Sequence, residues 1–274
     1  MNEPPSEIKG RVLIVAGSDS GGGAGIQADI KTVTALGGFA MTAITALTAQ
    51  NTQGVFDVLD IPPEFIRSQI DLVLDDIGAD VVKTGMLSKP EAIEVIAQSL
   101  ERRSPLLPLV VDPVMVAKGG HKLLDDAAHA ALLSRLIPKA TLVTPNIPEA
   151  EALTGMEIGD IEGMKAAGRA LLALGPRAVL VKGGHLPGAW LVDVLVDAHG
   201  VETFEGARLE TTSTHGTGCT MASAIAAGLA RGLAIKAAVS RARHYVQLAI
   251  VSAPGFGHGH GPLNHAHTVR PFED

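Results

Sequence analysis

Short apolar runs separated by polar, glycine-bearing and proline-bearing segments recur along the whole chain, and most are too short to be helices. Apolar or alternating stretches of roughly four to eight residues read as strands. On that basis strands are predicted at residues 11–16, 41–48, 55–61, 80–84, 109–112, 141–144, 178–182, 190–196 and 201–205. Helical spacing fills the gaps: Ile26, Ile30, Val33 and Leu36 share one face, and Phe65, Ile66, Ile70, Val73, Leu74 and Ile77 repeat the pattern. An apolar helix is predicted from Met221 to Ala230, with Gly232 as its stop and a long helix over 234–252 after it. The runs 190–196 and 201–205, joined by Asp197-Ala198-His199-Gly200, predict an antiparallel hairpin. Strands alternating with helices predict an α/β fold, a doubly wound and mostly parallel sheet with helices on both faces, plus that hairpin. No repeat or linker divides the 274 residues, so one domain over 1–274 is expected, with disorder at residues 1–9 and in the glycine- and histidine-rich end.

Composition removes several classes of function. A formal net charge of -7 with 3% aromatic residues leaves neither the basic footprint of a duplex binder nor the stacking platforms of a single-strand binder, so no nucleic-acid partner is expected. The start, Met1-Asn2-Glu3-Pro4-Pro5, is acidic and proline-rich, unlike a signal peptide. No apolar run approaches the roughly 18 residues that would span a bilayer, so no membrane is expected. The single cysteine forms no internal disulfide and supports no cysteine-rich zinc site, which points to a cytoplasmic protein.

In an open α/β sheet ligands bind beyond the carboxyl ends of the strands, so polar residues where apolar strands stop are the candidates. The first strand runs into Gly17-Ser18-Asp19-Ser20-Gly21-Gly22-Gly23-Ala24-Gly25, whose spacing fits neither G-x-G-x-x-G nor G-x-x-x-x-G-K-[ST]; it is either a phosphate-approaching loop or a flexible turn. Asp112 closes Leu109-Val110-Val111-Asp112 and suits Mg²⁺, which takes one or two carboxylates with phosphate oxygens and water. Asn146 and Glu149, after the strand at 141–144, read equally as ligands or as a helix cap with its capping box. Lys182, followed by Gly183-Gly184-His185, could hold a transferring phosphoryl group, and Lys83 is a weaker version of the same arrangement. Thr214-His215-Gly216-Thr217-Gly218-Cys219-Thr220 places glycines and the only cysteine just before an apolar helix. Unpaired N–H groups and the dipole of a helix N-terminus favour an anion there, and they lower a thiol from about 8.5 toward roughly 3.5–7.5. Cys219 is thus expected to ionise easily, the alternative being a small buried hydrophobe. Carboxylates for Mg²⁺, a strand-end lysine and a glycine-lined helix N-terminus are together the parts of a phosphoryl-transfer site.

The same segments carry a resemblance. The stretch from Ala16 to Asp29, Thr45 to Thr52, Gly85-Met86-Leu87, Asp112-Pro113-Val114-Met115, Thr144 to Ala150, Lys182 to His185 and the Cys219 segment closely resemble the hydroxymethylpyrimidine and phosphomethylpyrimidine kinases of thiamin biosynthesis. The match spans nearly the whole chain in several ordered motifs. It implies a ribokinase-like fold and two ATP-dependent phosphorylations of 4-amino-5-hydroxymethyl-2-methylpyrimidine, first to the monophosphate and then to the diphosphate. By the resemblance Cys219 is the base, with Gly216, Thr217 and Gly218 lining an anion hole. Gly17, Asp29, Gln50, Met86 and Val114 match pyrimidine contacts, and Lys182, Asn146, Thr217, Glu149 and Asp112 match the ATP and Mg²⁺ side. Gln50 can offer both donor and acceptor to an aminopyrimidine edge. The family also implies a homodimer. Where it often has Pro-Ser, this chain has Ser20-Gly21, which makes for a more flexible loop.

Other readings compete. Pyridoxal kinases share the implied fold and a cysteine base, and a pyridine alcohol is close in size to the pyrimidine. Cys219 with His215 would suit a cysteine hydrolase, which leaves Lys182, Asn146 and Glu149 unexplained. A non-catalytic nucleotide sensor would bind ATP without turnover. His258, His260, His265 and His267 mimic a metal site, but the glycines and proline between them predict a mobile loop without fixed ligand geometry.

Overall fold

The computed structural model describes residues 8–103, 106–115 and 124–270. Its strands are β1 (Arg11–Asp19), β2 (Phe39–Asn51), β3 (Gly54–Asp60), β4 (Val81–Thr84), β5 (Leu109–Val111), β6 (Leu142–Val143), β7 (Ala178–Val181), β8 (Trp190–Asp197) and β9 (Gly200–Ala207). They form a nine-stranded sheet in the order β3-β2-β1-β4-β5-β6-β7-β8-β9. β2, β1, β4, β5, β6 and β7 run parallel. β3 at one edge and the β8–β9 hairpin at the other are antiparallel. The predicted strands are all present, with β1 extended to Asp19 and β2 widened to Phe39–Asn51.

Helices α1 (Gly25–Ala35), α2 (Pro63–Asp76), α3 (Pro90–Arg103), α4 (Asp126–Ala131), α5 (Ile147–Thr154), α6 (Ile161–Leu172), α7 (Thr217–Ala230) and α8 (Ile235–Val251) cover the sheet. β1 shows why its run is apolar throughout. Leu13 and Val15 join Ile66 and Ile70 of α2, Ile93 and Ile96 of α3 and Met164 of α6 on one face. Val12, Ile14 and Ala16 meet Ile26 and Val33 of α1, Ile225 of α7 and Val239 of α8 on the other. A strand buried on both faces has no polar side to alternate with. On α2, Ile66 and Ile70 are fully buried, each contributing roughly 1.5–3 kcal/mol, whereas Phe65 of the predicted apolar face is exposed.

α7 begins at Thr217, before the Met221 start that its apolar run predicts. Gly216 is its N-cap at φ 79°, where a Cβ would also run into the carbonyl of Gly23, so only glycine fits. The first turn is therefore Thr217-Gly218-Cys219-Thr220, and from Thr220 to Gly228 every residue is buried. A helix apolar all round belongs inside, and here it lies between α1, α8 and the sheet.

The expected disorder is corrected where it can be seen. Residues 1–7 lie outside the described residues, and Lys9 N–H donates to Gly37 O at 2.9 Å. After α8 the histidine-bearing segment packs back on the body: Leu263 and His265 are buried, and the Tyr245 hydroxyl donates to His265 O at 2.6 Å. Backbone pairing and burial of two side chains outweigh the freedom its glycines confer.

Candidate active site

The parallel strands aim their carboxyl ends at a cavity of about 900 Å³. Of the sequence-predicted site residues, Gly17, Gln50, Met86 and Val114 line it from the β2–β5 side, and Asp112, Asn146, Glu149 and Lys182 from the β5–β7 side. Gly216, Thr217, Gly218 and Cys219 close it from α7.

Lys182, one residue past β7, sits between two carboxylates. Its Nζ lies 3.1 Å from Asp112 Oδ1 and 4.0 Å from Glu149 Oε2. Asp112, just beyond β5, also accepts from the Thr144 hydroxyl at 3.1 Å. Burial pulls the Lys182 ammonium down, but Asp112 and Glu149 hold it above its ordinary value. The cap reading of Asn146 and Glu149 is the one the hydrogen bonds show. Asn146 Oδ1 accepts from Glu149 N at 2.9 Å and Glu149 Oε2 accepts from Asn146 N at 2.7 Å, a complete capping box on α5. The same box points Glu149 at Lys182. Burial, with Asp112 nearby, pushes the Glu149 carboxyl up to about 7 against the pull of Lys182. One ammonium does not balance two buried carboxylates, and that surplus suits a divalent cation with phosphate oxygens.

Within the first turn of α7, Thr220 N is the first amide bonded back into the helix, to Gly216 O at 2.9 Å. The preceding amides lie at the helix's positive end. A Cβ on Gly218 would stand 3.2 Å from Lys182 Nζ, which sets how closely the turn approaches the lysine. Cys219 is half-buried. Its thiol does not match the expectation of easy ionisation: burial first, then Asp29 and Asp112, push it up to about 12, outweighing Lys83 and the Gly25 N–H.

Asp29 is the predicted site residue that does not line the cavity. It is fully buried, with both oxygens 2.9–3.0 Å from Lys83 Nζ and Oδ1 accepting from the Ser223 hydroxyl at 2.6 Å. Lys83, likewise fully buried, is committed to this pair and is not a free phosphate-holding lysine. Ser223 lies one turn beyond Cys219 on α7, so the pair sits under the cysteine.

The glycine-rich loop is ordered by a residue that the sequence reading passed over. Asp19 accepts from the amides of Gly21 at 2.8 Å, Gly23 at 3.1 Å and Ala24 at 2.8 Å. Although burial pulls the other way, His215 and the Ala24 and Gly21 amides hold its carboxyl below its ordinary value. His215 Nε2 lies 2.8 Å from Asp19 Oδ2 and 3.4 Å from Gln50 Nε2, so its ring serves the loop and does not make a dyad with Cys219. Asp193 and Arg243 were also missed. Asp193 Oδ1 accepts from Gly183 N at 2.9 Å, and Arg243 Nε donates to Asp193 Oδ2 at 2.8 Å. The signal was an acidic residue inside Leu191-Val192-Asp193-Val194.

Comparison with known proteins shows which family the chain belongs to. A family model described as phosphomethylpyrimidine kinase matches residues 19–264. A thiamine biosynthesis bifunctional protein of Geobacter sulfurreducens is 55% identical over 97% of the chain, which spans only about half, 54%, of that relative. A hydroxymethylpyrimidine/phosphomethylpyrimidine kinase of Streptomyces coelicolor is 48% identical over 93% of each chain. Among solved structures, a phosphomethylpyrimidine kinase of Clostridium difficile has TM-score 0.79 at 46% identity, covering 88% of this chain and 100% of its own. The ADP complex of Bacillus subtilis pyridoxal kinase has TM-score 0.88 at 38% identity over 94% and 98% of the two chains. The chain belongs to the phosphomethylpyrimidine kinase family.

Proposed function

We propose that the protein transfers the γ-phosphoryl group of ATP to the hydroxymethyl oxygen of 4-amino-5-hydroxymethyl-2-methylpyrimidine, and then phosphorylates the monophosphate, in thiamin biosynthesis. The observation that carries the reading is the meeting of the α7 first turn with the Lys182, Asp112 and Glu149 cluster in one cavity. The identities of 48–55% to the relatives named above support the substrate class.

In this reading Gly17, Gln50, Met86 and Val114 hold the pyrimidine, and the Gln50 amide addresses its aminopyrimidine edge. Lys182, Asn146 and Thr217 bind the phosphates. The amides of Gly216, Thr217 and Gly218 stabilise charge on the transferring group. Cys219, as a thiolate that has first given its own proton to solvent, takes the hydroxymethyl proton as the oxygen bonds to phosphorus and ADP departs with the electrons of the broken bond. Asp112 and Glu149 would hold Mg²⁺, which supplies charge neutralisation at the phosphates when bound. Asp29 drops out of the pyrimidine contacts, because its oxygens are spent on Lys83 and Ser223.

A pyridoxal kinase is the second reading, favoured by the TM-score of 0.88 to the Bacillus subtilis enzyme. The identity there is 38%, against 48–55% for the two relatives, so the pyrimidine ranks first. A coupled ATP assay on the pyrimidine, its monophosphate and pyridoxal decides: turnover of both pyrimidines is expected, and turnover of pyridoxal alone reverses the ranking. We place the enzyme in the cytoplasm as a homodimer, which sedimentation would test. Among the described residues no helix is long and apolar enough to cross a membrane.

A further inference from the structure

We infer that the histidine-bearing segment after α8 belongs to the catalytic apparatus, and that His265 is a positioning residue that holds the first turn of α7 through the Thr220 hydroxyl. The inference rests on the kinase reading of that turn.

The segment straps together the elements that frame the cavity. His260 N donates to Thr52 O at 2.8 Å, next to the β2–β3 turn. Gly261 N donates to Thr212 O, and His215 N to Gly261 O, each at 3.1 Å, ahead of α7. Asn264 N donates to Ala249 O of α8 at 3.0 Å, and the Thr268 hydroxyl to Ala35 O of α1 at 2.9 Å. His267 Nε2 lies 3.1 Å from Tyr245 O, which can only accept, so this nitrogen is the donor.

Proton counting fixes the role of His265. Thr220 Oγ1 lies 2.8 Å from Gly216 O and 3.0 Å from His265 Nε2, and both side chains are buried. A hydroxyl has one hydrogen, and a carbonyl oxygen can only accept. Both contacts are satisfied only when Thr220 donates to Gly216 O and His265 Nε2–H donates to Thr220. Burial, with Lys31 and His267 nearby, pushes the His265 ring down to about 4, so near neutral pH the ring is neutral with its one hydrogen on Nε2. The chain of donors ends on the Gly216 carbonyl, whose rigid peptide plane also carries the Thr217 N–H. Fixing that carbonyl fixes the plane of the first peptide of α7, whose N–H donates to Thr214 O at 3.4 Å at the cavity wall.

The test is a set of variants read in two ways. In the ATP-coupled assay His265→Ala is expected to lower kcat by about 10–100-fold, less than the about 10²–10³ for loss of a direct donor, with KM for the pyrimidine little changed. His265→Gln, whose amide nitrogen reaches the Nε2 position, restores most of the rate; His265→Asn, a shorter amide, does not. Thr220→Val reproduces the alanine loss, and the double variant His265→Ala/Thr220→Val is no worse than either single. Hydrogen exchange of the peptide over residues 214–221 speeds up in His265→Ala and Thr220→Val and stays at the wild-type rate in His265→Gln. Rates that follow melting temperature alone, additive losses in the double variant, or equal rescue by Asn and Gln would overturn the assignment. A wild-type protein that leaves the pyrimidine untouched overturns the kinase reading instead, and the exchange pattern still decides the role of His265.

Discussion

The buried Asp29–Lys83 pair separates two accounts of Asp29, and a substitution at either end tells them apart. Both side chains are fully excluded from solvent. Lys83 Nζ bonds both Asp29 oxygens at 2.9–3.0 Å, and the Ser223 hydroxyl supplies a third contact at 2.6 Å. In Lys83→Met the carboxylate keeps only Ser223 and stays buried, a loss of about 3–5 kcal/mol for an uncompensated charge. At roughly 2–4 °C per kcal/mol in a chain of this size, the melting temperature should fall by about 6–20 °C. Asp29→Asn should also destabilise the protein, since a neutral amide faces a buried ammonium. Asp29→Leu/Lys83→Met, which removes both charges, should recover most of the loss, because replacing a buried pair by apolar residues of similar volume is often neutral or better.

The assay is thermal and urea unfolding of the four proteins, with KM for the pyrimidine measured below each transition. If the pair is structural, stability falls in the single variants, returns in the double, and KM stays near wild type wherever the protein is folded. An Asp29→Asn protein with unchanged stability and a tenfold higher KM would refute the reasoning and restore Asp29 as a pyrimidine contact.

Cys219→Ala should lower kcat by about 10²–10⁴-fold, with little change in ATP affinity because the anion-binding donors are backbone amides. Cys219→Asp should retain more activity, and a phosphocysteine trapped during turnover would make the residue a nucleophile instead of a base. Asp112→Ala should abolish Mg²⁺-dependent activity while the protein stays folded, as read by circular dichroism beside the kinase assay. The Glu149 carboxyl rises from its ordinary value near 4.5 to about 7 on folding, so its contribution to stability is present at low pH and lost as pH climbs through 7. Glu149→Gln keeps the capping box without the charge, and its urea midpoint should gain on wild type between pH 5 and pH 8; a constant gap would count against the buried-charge account. Iodoacetamide should modify the ligand-free protein slowly at pH 7, with a rate still rising above pH 10, because the thiol lies at about 12; a midpoint below 8.5 would mean that the helix N-terminus prevails over burial.

The sheet was legible because its signal is local. β1 offers Val12, Ile14 and Ala16 to one layer and Leu13 and Val15 to the other, so the run is apolar throughout and could be read from the chain alone. The strand-end rule puts Asp112, Asn146, Glu149 and Lys182 at the ligand edge of the sheet, and all four line the cavity. The start of α7 was harder. Its apolar periodicity begins at Met221, but the helix is set at Gly216, where a left-handed glycine fits against the Gly23 carbonyl, and that contact joins residues about 190 apart in sequence.

What stayed hidden depends on pairing between distant segments. Nothing near Asp29 in the chain announces that Lys83 from β4 and Ser223 from α7 will consume its oxygens. Asp19 looked like one polar residue among glycines, yet it gathers the amides of Gly21, Gly23 and Ala24 and the His215 ring. The thiol makes the same point in energetic form. A helix N-terminus was enough to predict a low value for Cys219, but Asp29 and Asp112 stand close by and burial removes the water that would screen them. Lys83 and the Gly25 amide pull the other way and lose. Cys219 is therefore held as a thiol by the protein's own groups, and serving as a base requires the charge around it to change when ATP and substrate bind.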